Sequence, residues 1–166
     1  MIYFVIGDMF EMQSLCSLAH CISSDSKMSQ GLAKEFVRRF PVLVSLRRMQ
    51  LKIGTAVSVG ETGRFLYNLV TKERYFNKPS VCNLKSSLLS MRFHAEQFGI
   101  RTINVPMLGA GLDGLDFYGH VLPVIKEVFQ ESTVNINIHF LRVEDVSLFR
   151  YVHLIIDLGG ISVNGS

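Results

Sequence analysis

Apolar and polar positions along this chain alternate between two periods. It opens on a β-branched and aromatic run, Ile2-Tyr3-Phe4-Val5-Ile6, that stops at Gly7-Asp8, as a strand entering a loop does. "SLAHCIS", residues 17–23, reads as a second strand, followed by the polar stretch Ser23-Ser24-Asp25-Ser26-Lys27. In "MSQGLAKEFVRRF", Leu32, Phe36, Val37 and Phe40 recur at helical spacing with Lys34, Arg38 and Arg39 opposite, and Pro41 ends or kinks the helix. A second helical piece follows over 42–50. "KIGTAVSVG" alternates as a strand, Glu61-Thr62-Gly63 is a turn, and "RFLYNLV" carries the next strand out to Lys72. Residues 83–99 form an amphipathic helix with Leu84, Leu88, Met91 and Ala95 as its stripe and Gly99 as its C-cap. "TINVP" is a short buried strand, "MLGAGLDGLDF" a glycine-rich loop, "GHVLPVIKEVFQES" a helix with Pro123 in its first turn, and "VNINIHFLRV" a strictly alternating strand.

Strands alternating with helices predict an α/β sandwich around a mixed, largely parallel sheet. Ligands in such sheets sit beyond the carboxyl ends of the strands. Three loops then share one rim: Ser23 to Gly31, Thr71 to Pro79 and Pro106 to Leu115. Gly109-Ala110-Gly111 can present backbone N–H groups to a phosphate, although Gly-x-Gly stretches are usually only turns. It is neither a P-loop nor a dinucleotide fingerprint. The loop ending at Gln30-Gly31 also leads into a helix N-terminus, where an anion is favoured. Two such loops on one edge suit a diphosphate.

Composition narrows this modestly. The 166 residues are 48% hydrophobic and 19% charged, which fits one globular domain with a real core. A net charge of +3 suits an anionic ligand but does not by itself indicate nucleic acid. Cys16, Cys21 and Cys82 lack the pairing of a zinc site, so no metal and no cofactor is expected, and a reducing nuclear or cytoplasmic setting fits. "MIYFVIGDMF" has no basic n-region, and no apolar run is long enough for a membrane helix. The expectation is a soluble intracellular monomer.

Individually, the candidate residues are ambiguous. Lys72 is either a solvated strand end or an amine held at the mouth of a cleft. Asp113, after a glycine turn, is commonly a helix N-cap. Asp8 after Gly7 is a frequent turn pair. His20 and Cys21, in an apolar strand, read as core residues.

Taken in order, "VIGDMFE", "SLAHCISSDSKMSQGLAKEF", "FLYNLVTKERYFNKPSVCNLKSSL" and "VPMLGAGLDGL" resemble a macrodomain. The similarity is greatest to the lysine-bearing subgroup of terminal ADP-ribose glycohydrolases, also described as O-acetyl-ADP-ribose deacetylases, and runs from about Ile2 to Leu141. The resemblance implies a three-layer α/β/α macrodomain over 1–141, with 142–166 as a C-terminal extension of unassigned role. It implies that Asp8 accepts a hydrogen bond from the adenine amino group with Met9 beside it, and that Leu141 lines the adenine pocket. Ser23 and the loop through Met28 to Gly31 would wrap the diphosphate and distal ribose. Met107, Leu108, Gly109, Ala110, Gly111 and Leu112 would cradle the phosphates from the other side. Lys72 would be the nucleophile and Asp113 the general base.

Two features depart from the family pattern. Ser29-Gln30-Gly31 replaces a Gly-Ala-Gly-like stretch, and Met107 stands where a basic residue usually follows the proline. The implied activity is removal of mono-ADP-ribose from glutamate or aspartate side chains, and deacylation of O-acyl-ADP-ribose, through a lysyl–ADP-ribose intermediate. The implied partners are ADP-ribose, mono-ADP-ribosylated proteins and O-acyl-ADP-ribose. Two alternatives stay open: a non-catalytic ADP-ribose reader, and a hydrolase of ADP-ribosylated nucleic-acid bases.

Overall fold

The computed structural model describes residues 1–11, 15–140 and 161–163. Seven strands form one sheet: β1 (Ile2–Ile6), β2 (Ser17–Ser23), β3 (Ala56–Glu61), β4 (Arg64–Lys72), β5 (Thr102–Val105), β6 (Asn135–Phe140) and β7 (Ile161–Val163). Their order is β3-β4-β2-β5-β6-β1-β7, with β3 antiparallel to β4 and the other pairs parallel. Among the described residues the α-helices are α1 (Gly31–Arg39), α2 (Val81–Gln97) and α3 (Leu122–Phe129).

The period-two pattern sorts the strand residues onto two faces. On β4, Tyr67 and Leu69 join one apolar cluster with Leu84, Leu88, Met91 and Ala95 of α2 and Leu122 and Ile125 of α3. Leu66 and Val70 join a second cluster with Phe36 of α1 and with Leu43 and Leu46 from the 3₁₀ segment Pro41–Arg48. Helices therefore cover both faces, and the architecture is the expected three-layer sandwich with a mixed, largely parallel sheet. Each fully buried leucine contributes about 2–3 kcal/mol of transfer free energy.

Local chemistry explains where the elements differ from their expected bounds. The first helix begins at Gly31, where the rim loop is expected to end, because Met28 adopts φ 43 and Gln30 is extended at φ −139. The segment after Pro41 is 3₁₀: the proline has no N–H to donate, and Leu43 N–H bonds back to the Phe40 carbonyl at 3.0 Å. The last helix is preceded by a π turn, Phe117–Val121. α2 starts two residues before its predicted bound, with Ser80 accepting from Asn83 N–H at 3.0 Å, and Gly99 at φ 65 follows its end. Within the extension, Ile161–Val163 adds a strand to the open side of β1.

Candidate active site

Because β1, β2, β4, β5 and β6 run in parallel, their carboxyl ends share one edge, and a cavity of about 750 Å³ opens there. One wall is the start of α1. Its N-cap residue Gln30 gives no side-chain hydrogen bond, so the first-turn amides depend on another partner, and Gly31, Leu32 and Ala33 line the cavity. The opposite wall is the loop from Pro106 to Asp113. Gly109 there has φ 70, and a Cβ would lie 2.7 Å from Leu115 Cδ1, so glycine suits both the backbone and the packing. At Gly31, φ 55, a Cβ would lie 3.0 Å from Leu112 Cδ1, so the two walls approach each other at that point.

Lys72 closes β4 and Asp113 sits in the loop after β5, and Lys72 Nζ donates to Asp113 Oδ1 inside the cavity. Both side chains are mostly shielded, at 12% and 15% exposure. The helix-capping role expected for Asp113 falls instead to Asp116, which accepts from Gly119 N–H at 3.0 Å. Asp113 is thereby left to face the lysine. A register shift between Ile22 and Ser23 pairs Ile22 with Val70 but Ser23 with Lys72, which omits Thr71 from the ladder. Such a bulge bends a strand and re-aims the residues beyond it.

Asp25 ties the two neighbouring rim loops together. Its Oδ1 accepts from Ser23 Oγ and from Lys27 N–H, and its Oδ2 accepts from Tyr75 N–H at 3.1 Å. Burial alone would raise its pKa, but the Ser23, Tyr75 and Lys27 hydrogen bonds and the Arg74 charge outweigh it, and the net effect is a lowered value. Ser23 therefore spends its hydroxyl proton on Asp25. Ser26 and Met28 hold φ 48 and 43 in the same loop, a conformation that costs a non-glycine residue about 1 kcal/mol or more.

Three further polar groups line the cavity. His20 is buried, stacks on Phe36 with centroids 3.8 Å apart, and places Nε2 2.7 Å from Asn68 Oδ1. Desolvation lowers its pKa to about 4 against the opposing Asn68 hydrogen bond, so it is a neutral ring at pH 7. Cys21 is pushed up to about 12, first by burial and then by Asp113, with Lys72 and the Gly109 backbone opposing. Its thiol stays protonated and is no nucleophile. His139 is lowered by burial, against a 3.4 Å contact to the Gly7 carbonyl and the charge of Asp8.

Asp8, Met9, Ser23, Met28, Gly31, Lys72, Asp113 and the run Met107 to Leu112 all line this one cavity. Leu141 lies outside the described residues. Asp8 also serves as the expected turn residue, with Oδ1 accepting from Phe10 N–H at 2.9 Å. His20 and Cys21 are packed as expected, yet they also form cavity wall. Sequence reasoning missed His139 and Tyr75. The alternation of β6, which sends Ile136, Ile138 and Phe140 into the core, marks His139 as facing the other way. Tyr75 lies in a rim loop three residues past Lys72. Among the described residues, no helix is long and apolar enough to cross a membrane.

No family model matches the chain. Over 140 residues it is 36% identical to the human ADP-ribose glycohydrolase OARD1, covering 84% of this chain and 91% of that protein. It is 26% identical over 142 residues to the DNA ADP-ribosyl glycohydrolase of Thermus aquaticus, covering 80% of this chain and 38% of the relative. Its fold superimposes on the macrodomain of Thermus aquaticus DarG with a TM-score of 0.75 at 23% identity, covering 84% of this chain and 98% of that one. The parallel order of the sheet, the cavity at its carboxyl edge and the 36% identity along most of the chain lead to one assignment: the chain belongs to the macrodomain family.

Proposed function

We infer that this protein is an ADP-ribosyl hydrolase that releases mono-ADP-ribose from glutamate and aspartate side chains, and deacylates O-acyl-ADP-ribose, through a lysyl–ADP-ribose intermediate. The observation that carries this reading is the contact of Lys72 with Asp113 inside a cavity flanked by two anion-compatible backbone segments. The human relative's name, ADP-ribose glycohydrolase, points the same way. In this reading the diphosphate lies between the amides at the start of α1 and the Gly109-Ala110-Gly111 loop, and Asp8 holds the adenine amino group. The distal ribose then comes to Lys72.

The ester joins the anomeric carbon to a protein carboxylate. Attack by the Lys72 amine forms a carbon–nitrogen bond, and the carbon–oxygen bond breaks with its electron pair leaving on the carboxylate. Asp113 accepts a proton from a ribose hydroxyl, which assists ring opening, and returns it when water releases the sugar. The neutral amine is the attacking form, so as the ribose enters the salt bridge opens and Lys72 gives up its ammonium proton to solvent. In deacylation water adds to the acyl carbonyl and the acyl carbon–oxygen bond breaks, releasing the carboxylic acid and the ribose hydroxyl, with Asp113 relaying the proton.

The test follows ADP-ribose release from a glutamate-ADP-ribosylated protein by the wild type and by Lys72→Ala, with ADP-ribose affinity measured by calorimetry. Release that vanishes in the variant while binding persists is expected. Tight binding by both without release would make the protein a reader. The relative named DNA ADP-ribosyl glycohydrolase favours a second reading, hydrolysis of ADP-ribosylated bases, and an ADP-ribosylated oligonucleotide assayed in parallel decides between the two.

A further inference from the structure

Several cations away from the cavity mouth have a carboxylate partner: Arg64 with Glu61, Lys85 with Glu127 and Arg92 with Glu96. Arg38 and Arg39 share Glu35. Beside the mouth the pattern changes. Lys27, Arg47, Arg48, Arg74 and Lys78 are all exposed, and among the described residues none makes a salt bridge. Contacts join Lys27, Arg47 and Tyr75, with Arg48 next to Arg47 in the chain and Arg74 and Lys78 flanking Tyr75-Phe76. Lys27 Nζ lies 4.1 Å above the Tyr75 ring, which itself lines the cavity, and Arg47 Nη2 is 3.5 Å from the Lys27 carbonyl. Phe76 stands edge-on to Tyr75 at 5.3 Å and is 72% exposed, among the most exposed large apolar side chains described.

This surface begins two residues beyond Lys72, the residue that the proposed reaction brings to the ester. A substrate polypeptide attached through its modified side chain must leave the cavity past its rim. We propose that Lys27, Arg47, Arg48, Arg74, Lys78 and Phe76 form an exosite for an acidic polypeptide segment flanking the ADP-ribosylated residue. The proposal rests on the hydrolase reading above and names the kind of target it takes.

Charge complementarity sets the sign of the partner, because exposed cations that make no salt bridge favour a run of carboxylates. The aromatic group separates a peptide from a nucleic acid. Single-stranded nucleic acid needs successive aromatic faces on which its bases stack. Here Lys27 covers one face of Tyr75 and Phe76 packs nearly perpendicular to it at 86°, so the exposed Phe76 is the main open face of this pair. One such face suits a single apolar side chain within an acidic segment.

The experiment compares two peptides, each carrying one ADP-ribosylated glutamate, flanked either by aspartate and glutamate or by serine and glycine. kcat/KM is measured for the wild type, for R47E/R48E and for Phe76→Ala, at low and at physiological salt, with free ADP-ribose affinity measured for each protein. The expected result is about a tenfold wild-type preference for the acidic peptide that shrinks with salt. R47E/R48E abolishes the preference and Phe76→Ala reduces it, with ADP-ribose affinity unchanged in both, which also reports that they fold. Equal rates on the two peptides, or a preference that survives R47E/R48E, overturn the proposal. So does an ADP-ribosylated oligonucleotide that outcompetes the acidic peptide and loses that advantage in R47E/R48E. If the wild type releases nothing from either peptide, the hydrolase reading fails separately. Binding of the unmodified acidic peptide then decides the exosite: loss of binding in R47E/R48E supports it, and no binding by the wild type overturns it.

Discussion

Acidification from pH 7 to pH 4 should remove about 3 kcal/mol of stability through His20 alone. The ring is 1% exposed and lies flat against Phe36. Asn68 Nδ2 donates to the carbonyls of Val57 and Leu66, so its Oδ1 calls for a donor, and His20 Nε2–H supplies it. Among the described residues His20 Nδ1 has no hydrogen-bond partner, and burial holds the folded pKa at about 4 against 6.5 for the free side chain. The sign follows from which state binds the proton first. Below pH 6.5 the unfolded chain takes it and the folded one does not, so stability is whole above 6.5 and declines as pH falls towards 4. The slope reaches about 1.4 kcal/mol per pH unit between those values. His139 is lowered by burial as well and adds in the same direction. The depressed carboxylates Asp25, Glu35, Glu61 and Glu96 add theirs lower in the range. Since the chain has no tryptophan, urea unfolding at a series of pH values is best followed by circular dichroism. The comparison is His20→Phe, which keeps an aromatic ring against Phe36 and cannot titrate. Leaving Asn68 Oδ1 without a donor costs that variant about the same at every pH, so the difference in slope isolates the histidine. Wild-type and variant curves that run parallel from pH 7 to 4 would refute the reasoning.

Three other perturbations have defined outcomes. Asp113→Asn keeps the shape but removes the carboxylate, and single-turnover release should slow by about 10²–10⁴ with ADP-ribose affinity little changed; an unaltered rate would remove Asp113 from the chemistry. Asp25→Ala strips the acceptor from Ser23 Oγ and from the amides of Lys27 and Tyr75, and should cost about 2–3 kcal/mol in urea unfolding and expose the Tyr75 amide to hydrogen exchange. If Tyr75 stays as protected as in the wild type, Asp25 does not tie the loops. Gly109→Ala forces a side chain onto φ 70 and against Leu115, and should cost about 1–2 kcal/mol in thermal unfolding. An unchanged midpoint would mean that the loop relaxes without strain.

The elements most legible in the sequence were those whose signals are local. β2 was bounded to the residue by its apolar run, and α2 closely by its stripe and by Gly99. The hairpin turn could be seen because Thr62 and Gly63 sit where positive φ is required, and both adopt it. What stayed hidden depends on partners distant in sequence. Nothing near Ile22 or Thr71 announces the bulge that sets the aim of Lys72, because it arises between two strands. His20 was read correctly as a packed residue, but a strand face that is core at one end becomes cavity wall at the other. Ile161–Val163 is too short to declare itself, and β1 supplies its hydrogen bonds. The site residues were reached through the resemblance, which supplied the long-range pairing of Lys72 with Asp113 that periodicity cannot.

The position of β1 bears on how the chain folds as well as on how it stands. It is the earliest strand in the sequence, and its two neighbours, β6 and β7, are the latest. Until those arrive, Ile2, Phe4 and Val5 have no ladder to join, and the apolar run waits as an unpaired segment that can stick to other chains. Closing the sheet at β1 therefore pairs Ile2 with Ile136, and the loop-closure entropy of such distant contacts makes it a late and slow event. Refolding should show β4, β2 and α2 protected early, while the amides of β1 remain open to exchange until the last phase.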